Sequence, residues 1–208
     1  VAFIRGVGII GILCYSEDTE METTDEDRRG LKRAHASTRS AAEAKYRTLR
    51  DLAYQAAKPD LAAVGIHVEL GSIDAAALAR AAQWTDRRVA WPWHTLAAEW
   101  RRNHPNRFEV AIWQNGVLCG LALGRPAPVA PHMSLYYVEA GSDPANPLRR
   151  RITRVVLATL LRYAVFLGKT ELRLIDPLPP LVPFYCSPSF GFELVTPAKG
   201  VPYCWRSR

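Results

Sequence analysis

Three consecutive arginines, Arg149, Arg150 and Arg151, follow Pro147 and Leu148 at the head of a helical stripe. The stripe is Leu148, Ile152, Val155, Val156, Leu160, Ala164 and Leu167, with Gly168 just past it as a left-handed cap. Just upstream, residues 133–140 (MSLYYVEA) have the β-branched and aromatic composition of a half-buried strand, and Gly141, Pro144 and Pro147 make the turn between. A helix that opens directly after a strand aims unpaired amide N–H groups and the positive end of its dipole at the junction. Cations on its first turn oppose that dipole. A phosphate would remove the conflict, because it accepts from both the amides and the guanidinium forks. A solvated basic turn costing a few tenths of a kcal/mol is the other reading, and the junction alone does not separate the two.

Other chemistry is thinly represented. The cysteines Cys14, Cys119, Cys186 and Cys204 form no C-x-x-C pair, and no histidine stands at metal-ligand spacing, so no metal site is expected. A disulfide framework is not expected either, and a reducing cytoplasm fits. The formal net charge of +7, from 27 basic and 20 acidic residues, favours an anionic partner: a phosphorylated cofactor, nucleic acid or a membrane surface. Hydrophobic residues at 49% suffice for a real core in one domain with an appended arm. The apolar run near the N-terminus, residues 7–14, is too short to span a bilayer and lacks a small-residue cleavage site, so neither export nor membrane insertion is expected.

The elements that must position the arginine turn can be placed along the chain. Residues 16–27 are dominated by acids and read as a mobile linker. Residues 28–57 are basic and alanine-rich, with a thin stripe of Tyr46, Leu49, Leu52 and Ala53; they predict a solvated helix broken near Pro59. Residues 64–70 predict a first strand. Asp74 caps a helix over 75–84, and Pro92 starts another over 93–102. Trp84, Trp91, Trp93 and Trp100 fall in this helical pair as packing residues, or as the lining of an acceptor pocket. Residues 108–123 carry Asn115-Gly116 between two apolar runs, the strongest short hairpin signal. Residues 171–175 complete a strand–helix–strand unit and hence a parallel pair with 133–139. A proline-dense turn (177–183), a short helical segment at Phe184-Tyr185 and closing strands at 192–195 and 202–206 end the chain.

This order of elements resembles the GNAT superfamily of acyl-CoA-dependent N-acyltransferases over about residues 66–206. The hairpin leading into strand 133–139, the turn at 147–152 and FYCSPSFGFELV at 184–195 carry the resemblance. The family's pyrophosphate turn, Q/R-x-x-G-x-G/A, falls on Pro147 to Ile152, with Arg150 and Ile152 where small residues stand. Tyr185 and Gly191 are two residues further apart than is usual in the family. The resemblance implies an α/β (α+β) fold: a mixed, mostly antiparallel sheet flanked by helices over residues 61–208, behind an N-terminal helical arm over 1–60.

The resemblance further implies acetyl transfer from acetyl-CoA to a primary amine, by direct attack in a ternary complex. Acetyl-CoA would then lie between the parted strands 133–139 and 171–175. Its acyl end would meet the backbone of Tyr137 and Val138, and its pyrophosphate the turn of Arg149, Arg150, Arg151 and Ile152. Asp176 would also touch it. Tyr185 would protonate the leaving thiolate, and Glu139, or His132 through water, would take the amine's proton. The acceptor would be a small-molecule or peptide amine, or an aminoacyl-tRNA, and a homodimer is compatible with the family. Two rivals accompany this expectation: a GNAT-like binding module without catalysis, and a nucleic-acid-binding protein using the arginines of 28–50 and 149–154.

Overall fold

The computed structural model of the chain describes the backbone of residues 25–208 and the side chains from residue 36 onward. The readings of the apolar N-terminus and of most of the acidic segment lie outside the described residues. Helix α1 (Asp25–Ala62) is followed by β1 (Glu69–Gly71), α2 (Ala75–Ala81) and α3 (Trp93–Asn103). A meander of β2 (Phe108–Gln114), β3 (Val117–Pro126) and β4 (His132–Ala140) leads to α4 (Ile152–Phe166) and β5 (Glu171–Ile175). A 3-10 turn (Pro179–Leu181), α5 (Val182–Tyr185), β6 (Glu193–Val195) and β7 (Tyr203–Ser207) close the chain. Of its two units, residues 1–37 and Thr38–Arg208, the second holds the sheet.

The seven strands form one mixed sheet in the order β1-β2-β3-β4-β5-β7-β6. Every pairing is antiparallel except β4 with β5. At the β2–β3 hairpin, Asn115 (φ 51°) and Gly116 (φ 75°) adopt the two left-handed conformations that a type I′ turn requires. Val110, Ile112, Met133 and Leu172 point into a core with α1 and α4 on one face. Ala111, Leu121 and Leu123 pack against α2 and α3 on the other. Helix α4 ends in a Schellman motif: Lys169 N–H donates to the Ala164 carbonyl at 2.8 Å and Gly168 N–H to Val165 at 3.0 Å.

Four expectations need correction. The basic helix does not break near Pro59 but runs on to Ala62. An internal proline costs about 3 kcal/mol; burial of Ala53, Tyr54, Ala57 and Leu61 against the sheet offsets it. Nor is its basic face wholly solvated. Arg50 is 1% exposed and donates to Glu43 at 2.7 Å, and Arg107, at 3% exposure, donates to both Glu43 and Glu109. The first strand covers Glu69–Gly71 rather than 64–70, because Glu69 pairs with Trp113 and the partner strand turns away one residue later. Finally, α2 stops at Ala81, and Trp84 leaves the helix to pack on the turn at Gly141, where an added Cβ would lie 3.2 Å from its ring.

Candidate functional site: a parted strand pair facing a helix N-terminus

Strands β4 and β5 pair only from His132↔Glu171 to Leu135↔Leu174. The next residue of β4, Tyr136, is a bulge: Leu123 of β3 pairs with Tyr137, while Gly124 pairs with Leu135. A bulge adds a residue to one strand and bends it, and here β4 parts from β5 at that residue. The bulge also resets side-chain alternation, so Tyr136 and Tyr137 both pack towards α3. Gly141 N–H donates to Cys119 at 2.8 Å. Counting back along the antiparallel ladder, the N–H groups of Glu139 and Tyr137 also face β3, and those of Val138 and Ala140 face the opened edge. The gap so formed holds a cavity of about 90 Å³ whose walls include Val138, Thr153, Asp176 and Tyr185. Val89 and Trp91, from the stretch between α2 and α3, border it as well. Typical ligand pockets run to about 300–1,000 Å³, so the gap is nearly closed here.

The head of α4 reaches this gap through Thr153, while its arginines line a separate hollow. Asn146, buried, pins it from inside: its Nδ2 donates to Cys119 (2.9 Å) and Gly141 (3.0 Å), and its Oδ1 accepts from Leu148 N–H (2.9 Å). Leu148 and Ile152 point into the core, so neither plugs the corner. Among the described residues, no backbone carbonyl accepts from the N–H groups of Arg150, Ile152, Thr153 or Arg154. Arg150 adopts φ 67°, a left-handed conformation that glycine would take without strain. Ile152 replaces the turn's second small residue, and its side chain lies against Gly120 of β3 instead of towards the corner. Arg150, Arg151 and Arg154 line a hollow of about 480 Å³, faced by Phe184, Ser187, Ser189 and Phe190. A larger hollow of about 540 Å³ lies between Trp84 and the turn at Gly116 and shares no lining residue with the gap.

The structure therefore brings Val138, Asp176 and Tyr185 to one cavity, and Arg150 and Arg151 to the adjoining hollow. Asp176 turns the chain there with φ 49°. Burial, and then the neighbouring Cys204, push the Tyr185 hydroxyl above the ordinary tyrosine range. Arg149 is exposed and does not line the hollow; Arg154 does. Tyr137 packs its ring edge-on to Trp91 (4.8 Å between centroids) on the α3 face, away from the gap. His132 sits at the zipped end of the strand pair, opposite Glu171; burial and the nearby Arg173 keep its imidazole below its usual range.

Glu139 is placed unexpectedly. Its side chain is 8% exposed on the face towards α3, and both of its oxygens are occupied. Arg87 donates to Oε1 through Nε (2.6 Å) and to Oε2 through Nη2 (2.5 Å), and Trp93 Nε1 donates to Oε2 (2.7 Å). The hydrogen bond to Glu139 pushes the guanidinium of Arg87 further up its range, against the effect of burial. Sequence reasoning missed Arg87 and Asn146, and named Arg154 only among the arginines of the nucleic-acid-binding rival. Its place as the next basic residue on the same helix turn was the signal for a cofactor role. Among the described residues no cluster of His, Cys, Asp and Glu could hold a metal ion, and no helix is long and apolar enough to cross a membrane.

No family model matches the sequence, and no curated protein matches it. Solved structures do resemble it. Ard1 from Thermoplasma volcanium superposes with a TM-score of 0.50 at 10% identity, covering 67% of this chain and 97% of that one. The GNAT domain of S. lividans PAT gives 0.50 at 13% identity, covering 68% of this chain and 89% of the other. At such identities the likeness is one of architecture alone: the fold of this chain is the GNAT fold.

Proposed function

We propose that this protein transfers an acetyl group from acetyl-CoA to a primary amine. The observation that carries the reading is the parting of β4 from β5 at Tyr136, directly beside four amides without backbone acceptors at the head of α4. Those amides and the arginines at 150, 151 and 154 fit a diphosphate, which accepts from both. Val138 N–H, facing the gap, suits the oxyanion that forms when an amine adds to a carbonyl.

Acetyl-CoA supplies an activated acyl group: the amine nitrogen bonds to the thioester carbon, the C–S bond breaks, and coenzyme A leaves as its thiolate. The chain's own residues divide the proton work. Tyr185, kept protonated by burial, donates its hydroxyl proton to the departing sulfur, and the second proton that the new amide nitrogen sheds returns the tyrosine to its acid form. Glu139 accepts the proton that the acceptor ammonium must lose before its nitrogen can attack. Cys204 is no rival nucleophile, since burial and the adjacent Cys186 push its thiol up to about 11, leaving it protonated near neutral pH. That favours direct transfer over a covalent enzyme intermediate.

Calorimetric titration with acetyl-CoA tests the reading. Saturable heat is expected, weakened about tenfold or more when Arg150 and Arg151 are both replaced by alanine. No heat at millimolar acetyl-CoA removes the transferase. A steep salt dependence of RNA retention in its place would point to nucleic acid as the anionic partner.

A further inference from the structure

The stretch between α2 and α3 lies over the gap without helix or strand of its own. Its backbone hydrogen bonds are local, such as Trp91 N–H to Val89 (3.0 Å). Among the described residues, only Arg87 hydrogen-bonds from residues 85–90 to anything outside the stretch, and its partner there is Glu139. The same stretch brings Val89 and Trp91 onto a cavity of about 90 Å³, too small for an acyl chain and an incoming amine together. Val89 and Trp91 form one wall of that cavity, and displacing the stretch that carries them would break the Arg87–Glu139 pair.

The surroundings of the guanidinium describe what would replace it. Besides the two carboxylate oxygens, Arg87 Nη2 donates to the Trp91 carbonyl at 2.7 Å, and its Cζ lies 6.0 Å from the centroid of Trp84. Carboxylate, carbonyl and indole face together make a cation site. Trp93 Nε1 holds the carboxylate from behind at 2.7 Å, so the site is set even when the cation changes. Glu139 is one residue beyond Val138, on the face of β4 opposite α4 and its arginine turn. An alkylammonium, with a pKa of about 10.4, is charged at neutral pH and carries three donors.

We propose that Glu139, with the Trp91 carbonyl and the Trp84 ring, is the subsite for the acceptor's ammonium group, and that Arg87 occupies it in the free protein as an internal substitute. The assignment rests on the acyl-transfer reading for its purpose, but the subsite can be tested with no acyl donor present. An acceptor displaces Arg87 by taking its place on Glu139, and the stretch 85–91 lifts from the gap in the same event. A neutral or anionic acceptor has no means to do this. The acceptor is therefore a cationic amine.

The test is a fluorescence titration of the full chain, without coenzyme, reading the tryptophans around the site. Arg87→Ala is expected to bind n-butylammonium and methylguanidinium saturably and at least tenfold more tightly than the unaltered protein. Arg87→Ala/Glu139→Gln should lose that binding, and n-butanol should not bind either variant. Equal affinities in Arg87→Ala and the unaltered protein overturn the proposal, as does binding that survives Glu139→Gln. Should Arg87→Ala fail to fold, the unaltered protein decides. Amide hydrogen exchange over 85–91 should rise in n-butylammonium chloride relative to sodium chloride at equal ionic strength, and unchanged exchange overturns it. Binding of acetyl-CoA without any cation effect would sink this subsite alone; a cation site without acetyl-CoA binding would sink the transferase and leave the site.

Discussion

Gly120 and Ile152 share one volume. A Cβ built on Gly120 would lie 2.8 Å from Ile152 Cγ2, closer than side-chain carbons approach. The resembled turn keeps a small residue at its last position; here the small residue is across the interface on β3, and the large one heads α4. That exchange turns Ile152 inwards and leaves the corner open. Gly120→Ala is expected to destabilise the fold by about 1–3 kcal/mol through overpacking. In an Ile152→Ala background the same change should cost at least about 0.5 kcal/mol less, because the clashing methyl has gone. Denaturant titration of the double-mutant cycle measures this, and strict additivity would mean the two residues do not share the space.

Arg150 carries a second exchange. A non-glycine residue in the left-handed region costs roughly 1–2 kcal/mol, and Arg150 holds φ 67°. Arg150→Gly is expected to gain about 1 kcal/mol in stability, or roughly 2–4 °C in Tm for a chain of this size, while weakening acetyl-CoA binding. Calorimetry of unfolding and of binding should thus move in opposite directions. A variant that is less stable, or binds more tightly, contradicts the assignment.

For Tyr185, burial holds the proton on. Because the folded hydroxyl ionises above the ordinary 10.0, the acid form persists through neutral and mildly alkaline pH. Turnover should stay level to about pH 10 and fall above it. Tyr185→Phe should lower kcat on the order of 100-fold with little change in acetyl-CoA affinity, and should abolish that alkaline limb. An unchanged kcat removes Tyr185 from the reaction.

The ion cluster under α1 sets an acid limit. Burial alone would raise the carboxyl of Glu43, but hydrogen bonds from Arg107 and Arg50 outweigh it and bring its folded value below 4.5. With the folded pKa depressed, the stabilisation is complete above about 4.5 and is lost as pH falls through the lower folded value. Glu43→Gln should be less stable than the unaltered protein near neutrality, and the difference should shrink below pH 4.5. Urea midpoints across that range check it; a constant difference would place the acid sensitivity elsewhere.

Much of this architecture was legible in local chemistry. The Asn115-Gly116 hairpin, the strand before the arginine turn, the long stripe of α4 and the strand after it each rest on short-range rules, and each stands within a few residues of its expected place. Their order was enough to suggest the fold. Boundaries went astray where distant contacts decided them: at Pro59, where burial outweighs a missing hydrogen bond, and at β1, where the partner strand simply ends.

What the sequence determined by itself was therefore the set of elements, their order and the basic character of one helix N-terminus, because periodicity, turn chemistry and charge act over a few neighbouring residues. Tertiary structure alone decided that β4 parts from β5 at Tyr136, that Ile152 turns in against Gly120, and that Glu139 is already held by Arg87. Each of these depends on a contact between segments far apart in the chain. The last pair is separated by 52 residues, and no local pattern encodes which arginine meets which carboxylate.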